Sequence, residues 1–162
     1  MIPSVIETEA QGIVVAHPAS VWTLVSTPER LADWLALCDK VELLDGEGLG
    51  MKMRLHARPR GKRPRAEIDV EVTAFDPPHE IAWRYIEERV GGKPIKRFAK
   101  ETRFSIKLEP REGNTKVRLH SEQDPRSWFH RFMIVRFGMR EAQRRLALSL
   151  QKLKMLAGKP TR

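Results

Sequence analysis

Apolar residues follow two different periods along this chain, and the switch between them divides it. From Met51 to Leu119 they alternate with polar ones, as in strands that bury one face. The sets are Met51, Met53 and Leu55; Ile68, Val70 and Val72; Ile81, Trp83 and Tyr85; Phe98, Phe104, Ile106 and Leu108; then Val117 and Leu119. Beyond Asp124 the steps become three and four residues, through Trp128, Phe132, Val135, Met139, Ala142, Leu146, Leu150 and Leu153. That spacing predicts one amphipathic helix. Phe129, Met133 and Phe137 widen its stripe over the first half.

Turn chemistry sets the limits of each element. Val5–Val15 reads as a first strand, followed by two short helices opened by Pro18 and by Thr27-Pro28, with Leu31 and Trp34 on the second. Strands are then expected over Lys40–Leu44, Met51–Ala57, Ala66–Thr73, Ile81–Glu88, Arg97–Leu108 and Thr115–Glu122. Glycine- and proline-rich turns separate them, and such short connections favour an antiparallel meander. Asp124 and Pro125 are placed to cap and begin the long helix, and Gly158-Lys159-Pro160 to stop it. Thirty or so helical residues span roughly 45 Å, enough to cross the concave face of a sheet.

Opposite the apolar rows the strands are charged. Glu67, Asp69 and Glu71 fall on a strand between basic neighbours carrying Lys52, Arg54 and Arg84, which suits cross-strand ion pairs on a wet face. The other face then needs the helix as its cover. The fold class is α+β: a curved seven-strand antiparallel sheet around a long C-terminal helix, with two short helices after strand 1.

This pattern resembles the START-like helix-grip (SRPBCC) superfamily, in particular its polyketide cyclase/dehydrase and lipid-transport branch. The resemblance is carried by His17-Pro18-Ala19-Ser20-Val21-Trp22 with Trp34, the Gly48-x-Gly50 turn, Asp76-Pro77-Pro78 before Ile81-Ala82-Trp83, and Gly113-Asn114-Thr115-Lys116-Val117. It implies one domain over residues 1–162, a first strand paired with the last, and an apolar ligand pocket between helix and sheet. It also implies that the loops Arg58–Arg65 and Arg89–Lys96 share the pocket mouth. Arg58, Arg60, Lys62, Arg63, Arg65, Arg89, Lys93 and Lys96 would give that mouth a basic rim.

Site candidates are the polar exceptions to the inward parity and the large side chains around them. Tyr85, Glu87, Lys100, Thr102 and Ser121 fall on the apolar rows, and Glu87 and Lys100 flank one hairpin. With Met53, Trp83, Phe98, Phe104, Phe132 and Met133 they form the expected ligand-binding set, polar groups orienting a ligand inside an apolar wall. The bland alternatives are a salt bridge at a strand end and a filled core. Tyr85 and Glu87 are the only candidates for an acid and a base.

Other chemistry is poorly served. The five histidines show no metal-ligand spacing, and Cys38, the single cysteine, has no cationic sequence neighbour to tune it. No phosphate loop or nucleophile elbow occurs. No cofactor and no metal are therefore expected. The net charge of +9 invites anionic partners. Arg58–Arg65 lacks interleaved aromatics for stacking bases, so nucleic-acid binding is expected to be nonspecific only. An apolar start to the chain is missing, as are long apolar runs, and a cytoplasmic protein is the default expectation. Three functions stay open: binding or transport of a hydrophobic small molecule (a lipid, quinone or polyketide-like compound) in an apolar pocket whose basic rim suits ligands with an acidic head group; a polyketide cyclase/dehydrase-like enzyme in the same pocket; and an interaction module docking on RNA, ribosome or anionic membrane. The first, without catalysis, is preferred. Oligomeric state is not readable.

Overall fold

Alternation does build the sheet. The computed structural model describes residues 5–59 and 61–158. Strands β1 (Ile6–Val14), β2 (Cys38–Asp45), β3 (Lys52–Ala57), β4 (Ala66–Asp76), β5 (Glu80–Val90), β6 (Lys93–Pro94), β7 (Ala99–Arg111) and β8 (Asn114–Pro125) form one antiparallel sheet. Its order is β1-β8-β7-β5-β4-β3-β2, with the short β6 paired to β5 outside that path. The first strand pairs with the last through Ile6–Gln123 to Val14–Thr115. Two short helices, α1 (Pro18–Ser26) and α2 (Pro28–Leu31), follow β1. The C-terminal helix runs as α3 (Trp128–Met133), a π-helical turn (Ile134–Gly138) and α4 (Met139–Ala157).

Burial follows the predicted parity over most of the sheet. Met53, Leu55, Val70, Ile81, Ile106, Val117 and Leu119 have no exposed surface, and Leu146, Leu150 and Leu153 of α4 close over them in one large core. A second, small cluster joins Ile6, Ala99 and Ile134 at the end where the helix begins. On the outer face the acidic β4 is held between basic strands. Asp69 accepts from Arg54 at 2.8 Å and from Arg89 at 2.9 Å. Burial alone would raise the Asp69 carboxyl, but these two guanidinium hydrogen bonds outweigh it and hold the group below its ordinary range.

Besides offsets at Thr73 of β4 and within β2, three one-residue offsets change which residues face inward near the start of the C-terminal helix. Asp69 pairs with Glu87 while the next residue, Val70, pairs with Tyr85, so Ile86 bulges out of β5. On β7, Ala99 pairs with Pro125 and Glu101 with Asp124, leaving Lys100 as the extra residue. In the helix, the wider π turn slips the stripe by about one residue. Ile134 is buried there in place of Val135, while Trp128, Phe132 and Val135, expected to cover the sheet, are exposed.

The helix also starts later than expected. Asp124 and Pro125 end β8, and Ser127 is the cap, its hydroxyl accepting from the His130 amide at 3.2 Å. The extra strand β6 lies in a segment read from sequence as loop. At the far end Gly158 caps α4, and Lys159 and Pro160 lie outside the described residues.

Ser149 ties the short helices to this cover. Its hydroxyl donates to Arg145 O at 2.7 Å and accepts from the Ala36 amide at 2.9 Å. Ser149 is 2% exposed and Ala36 half-buried, so removal of the hydroxyl leaves a partly shielded amide without this acceptor. Ser149→Ala is expected to lower stability by about 1–3 kcal/mol with the fold retained. Chemical denaturation with matched m-values checks this.

Candidate functional site

A band of polar side chains crosses the inner face between the two apolar clusters. On β1, Thr8 is 8% exposed and lies between Ile6 of the small cluster and Ala10, which packs on the large one. Thr8 pairs with Ser121 of β8, and Ser121 with Phe104 of β7. Thr102, 7% exposed, separates Phe104 from Ala99 of the small cluster. The pairing of β5 with β7 ends at Arg84–Arg103, and Tyr85 and Thr102 are the next residues on each strand. Beyond that point β5 turns to pair with β6, and the sheet opens.

Arg97 comes from the segment between β6 and β7. Its guanidinium carbon stands 5.9 Å from the centre of the Tyr85 ring, and Nη2 donates to Tyr85 O at 3.5 Å. Nη1 is shielded from solvent and has no hydrogen-bond partner. The Ile86 bulge places Glu88 opposite buried Ile68, and so on the inner face with Tyr85. Burial pushes the Glu88 carboxyl up, with Arg97 pulling partly the other way. The Tyr85 phenol is raised too, first by burial, then by Glu88 and Cys38 and against Arg97. Cys38, fully buried, is pushed up to about 12 by burial, with Asp39 adding to the shift and Arg58 opposing it. It is a core thiol and not a nucleophile.

The expected residues are thus partly regrouped. Tyr85, Thr102 and Ser121 lie on the inner face as the parity placed them. Met53, Trp83 and Phe104 lie inside the large core, with the Trp83 and Phe104 rings 5.0 Å apart. Glu87 is corrected to the outer face, where it accepts from Arg89 at 2.7 Å. Lys100 is corrected likewise: its side chain is 60% exposed and pairs with Asp124 at 3.5 Å, while Glu87 is taken by Arg89. Phe98 precedes β7 and is half exposed beside the His130 ring, at 5.6 Å between centres. Met133 is half-buried on α3, whereas Phe132 points to solvent.

Of the rim residues, Arg58, Lys62, Arg63, Lys93 and Lys96 are exposed, and Arg60 lies outside the described residues. The two loops do meet, through Gly91 N to Arg65 O at 3.0 Å. Arg65 is committed to Asp39 at 2.8 Å. Arg89 is spent on the outer acidic network with Glu67, Asp69 and Glu87, and is corrected from the rim.

Glu88 and Arg97 were missed by parity. The available signal was Ile86, an apolar residue on the outward row, which marks a change of phase between Tyr85 and Glu87. One set of metal-type ligands also escaped the spacing argument, because it spans two strands. Glu7, His120 and Glu122 bring one ligand atom each within 4.8 Å on the outer face. Glu80, Lys107 and Arg118 line a hollow of about 190 Å³ with His120 and Glu122, so that part of the outer face carries both signs of charge.

The family follows from comparison of the whole chain. Residues 6–157 match the model of the family described as polyketide cyclase / dehydrase and lipid transport. The chain belongs to that family. An uncharacterised Mycobacterium tuberculosis protein is 36% identical over 76 residues, 46% of this chain and 52% of the relative. The chain thus spans about half the length of the curated relatives it matches. Among solved structures, major latex-like protein 151 from Panax ginseng superposes with a TM-score of 0.74 at 12% identity, covering 95% of this chain and 98% of that one. A protein from Thermus thermophilus gives 0.73 at 18%, covering 96% and 100%. The Zhui aromatase/cyclase from Streptomyces gives 0.68 at 19%, covering 95% and 94%. These likenesses show a shared fold.

Glu88 yields a pH prediction. Its folded value lies above the unfolded one of about 4.3, so the folded chain binds the proton more tightly. Stability from this group is present at low pH and is lost as pH rises from about 4.3 through the folded value. Glu88→Gln is therefore expected to melt higher than the unsubstituted chain at neutral pH and to show a flatter pH dependence. Thermal melts across that range decide it.

Proposed function

We propose that this family member binds a hydrophobic small molecule with an anionic head, its apolar body between the C-terminal helix and the sheet and its head against Arg97. The observation that carries the reading is the Arg97 guanidinium, whose Nη1 is shielded from water yet unpartnered within the chain. A shielded donor of this kind costs free energy unless a ligand accepts from it. A carboxylate or phenolate supplies that acceptor together with opposite charge. Tyr85, Thr102 and Ser121 add hydroxyl groups on the same face to orient hydroxyl or carbonyl groups of the ligand.

The test compares a long-chain fatty acid with the alcohol of equal chain length by titration calorimetry. The acid is expected to bind about ten- to a hundredfold more tightly, as a charge-assisted hydrogen bond implies. Arg97→Met is expected to remove the difference and leave the alcohol's affinity unchanged. Equal affinities in the unsubstituted chain would sink the reading.

The placement of Glu88 favours one second reading, a cyclase- or dehydratase-like reaction on the same inner face. A carboxyl raised by burial beside a phenol is suited to moving a proton to or from a bound polyketide-like carbonyl compound. In that case Glu88→Gln abolishes turnover while Glu87→Gln, on the outer face, leaves it intact. Loss of turnover with Glu87→Gln, or none with Glu88→Gln, excludes the assignment.

A further inference from the structure

The C-terminal helix shows its most apolar surface to solvent. Trp128 is 81% exposed, Phe132 56% and Val135 46%, and their steps of four and three residues put them on one stripe. Phe129, at 52%, stands edge-on to Trp128, and Phe98, at 50%, continues the patch through the His130 ring. The π turn explains why the stripe is outside: it slips the helix by about one residue, so Ile134 takes the inward place. A patch of this kind on a folded surface marks a site of interaction.

Charge selects the partner. Between Asp124 and Glu141 the sequence carries Arg126, Arg131, Arg136 and Arg140 and no acidic residue. A second copy meeting this face across a two-fold axis would set these arginines against their own counterparts. Base stacking calls for rings set along a groove that follows a nucleic-acid backbone, whereas these rings form a ridge on a helix that continues into aliphatic Val135. Aromatic residues on one stripe with arginines beside them match the interface of an anionic bilayer, where rings enter the acyl boundary and guanidinium groups meet the head groups.

We propose that the outward stripe of Trp128, Phe132 and Val135, flanked by arginines, docks this chain peripherally on anionic lipid bilayers. The stripe points to solvent, whereas Tyr85, Glu88 and Thr102 lie on the inner face of the sheet, so docking stands or falls independently of ligand binding there. No described helix is long and apolar enough to cross a membrane, which is in keeping with a surface attachment.

Trp128 reports on this directly, because Trp34 and Trp83 are at most 1% exposed and Trp22 is half-buried. The full chain is mixed with vesicles of phosphatidylcholine alone and of phosphatidylcholine with phosphatidylserine. Tryptophan emission is expected to shift to the blue, and to be quenched by brominated acyl chains, on the phosphatidylserine vesicles only, with the effect reversed by salt. Co-sedimentation is expected to fall about tenfold or more in Phe132→Ser, as loss of one buried ring implies. Arg136→Gln with Arg140→Gln is expected to weaken it several-fold. These side chains are exposed, so circular dichroism and melting should stay as they were. Absence of the shift on both vesicles would overturn the proposal, as would co-sedimentation indifferent to Phe132→Ser. Burial of Trp128 by a concentration-dependent dimer or by RNA, without vesicle binding, would overturn it as well.

Discussion

Leu146, Leu150 and Leu153 fix the far half of the C-terminal helix on the sheet, and much else depends on where that anchor leaves off. Together with Trp34, Trp83 and the inward rows of the strands they make one continuous core. Burying a leucine is worth roughly 1.5–3 kcal/mol, so this half of the helix has little freedom to move. Toward its N-terminus the helix touches the sheet through a much smaller cluster, Ile134 on Ile6 and Ala99. Between the two contacts lies inner sheet surface that bears hydroxyls, a carboxyl and a guanidinium. A fold that secures its cover firmly at one end can leave room for a ligand at the other.

Three of the one-residue offsets sit at that looser end, while others fall at Thr73 of β4 and within β2. The bulge at Ile86 turns Glu87 out and Glu88 in; the bulge at Lys100 sends its ammonium to solvent; the π turn exposes Phe132 and buries Ile134. Each re-aims a polar or aromatic side chain without changing the fold, which is how bulges and π turns serve sites. Local rules of pattern are expected to break where a protein holds its chemistry.

This also accounts for what could be read in the sequence. The antiparallel meander and the buried rows followed from alternation and turn residues, because register is specified wherever one face is buried; the pairing of first strand with last was implied by the family resemblance. The outer pairs of Asp69 with Arg54 and of Glu71 with Arg84 were legible for the same reason, whereas that of Arg89 with Asp69 was not. Glu88 and Arg97 were not. Parity is counted from one end of a strand, and a single extra residue reverses it beyond that point. The sequence reads Arg97 as the first residue of a strand on its outward parity, whereas the strand begins at Ala99 and leaves Arg97 free of that alternation. The late helix start had a sequence cue in Ser127, since serine is as good a cap as aspartate, but Asp124-Pro125 offered a competing one.

The central question is whether the inner surface beside Arg97 holds an apolar acid. Native mass spectrometry of the freshly purified chain, compared with its denatured mass and with Arg97→Met, puts that to the test. A retained adduct, extractable into organic solvent as an acid and absent from Arg97→Met, is the predicted result. A bare mass that stays bare after incubation with long-chain fatty acids, or an adduct held equally by Arg97→Met, would contradict it.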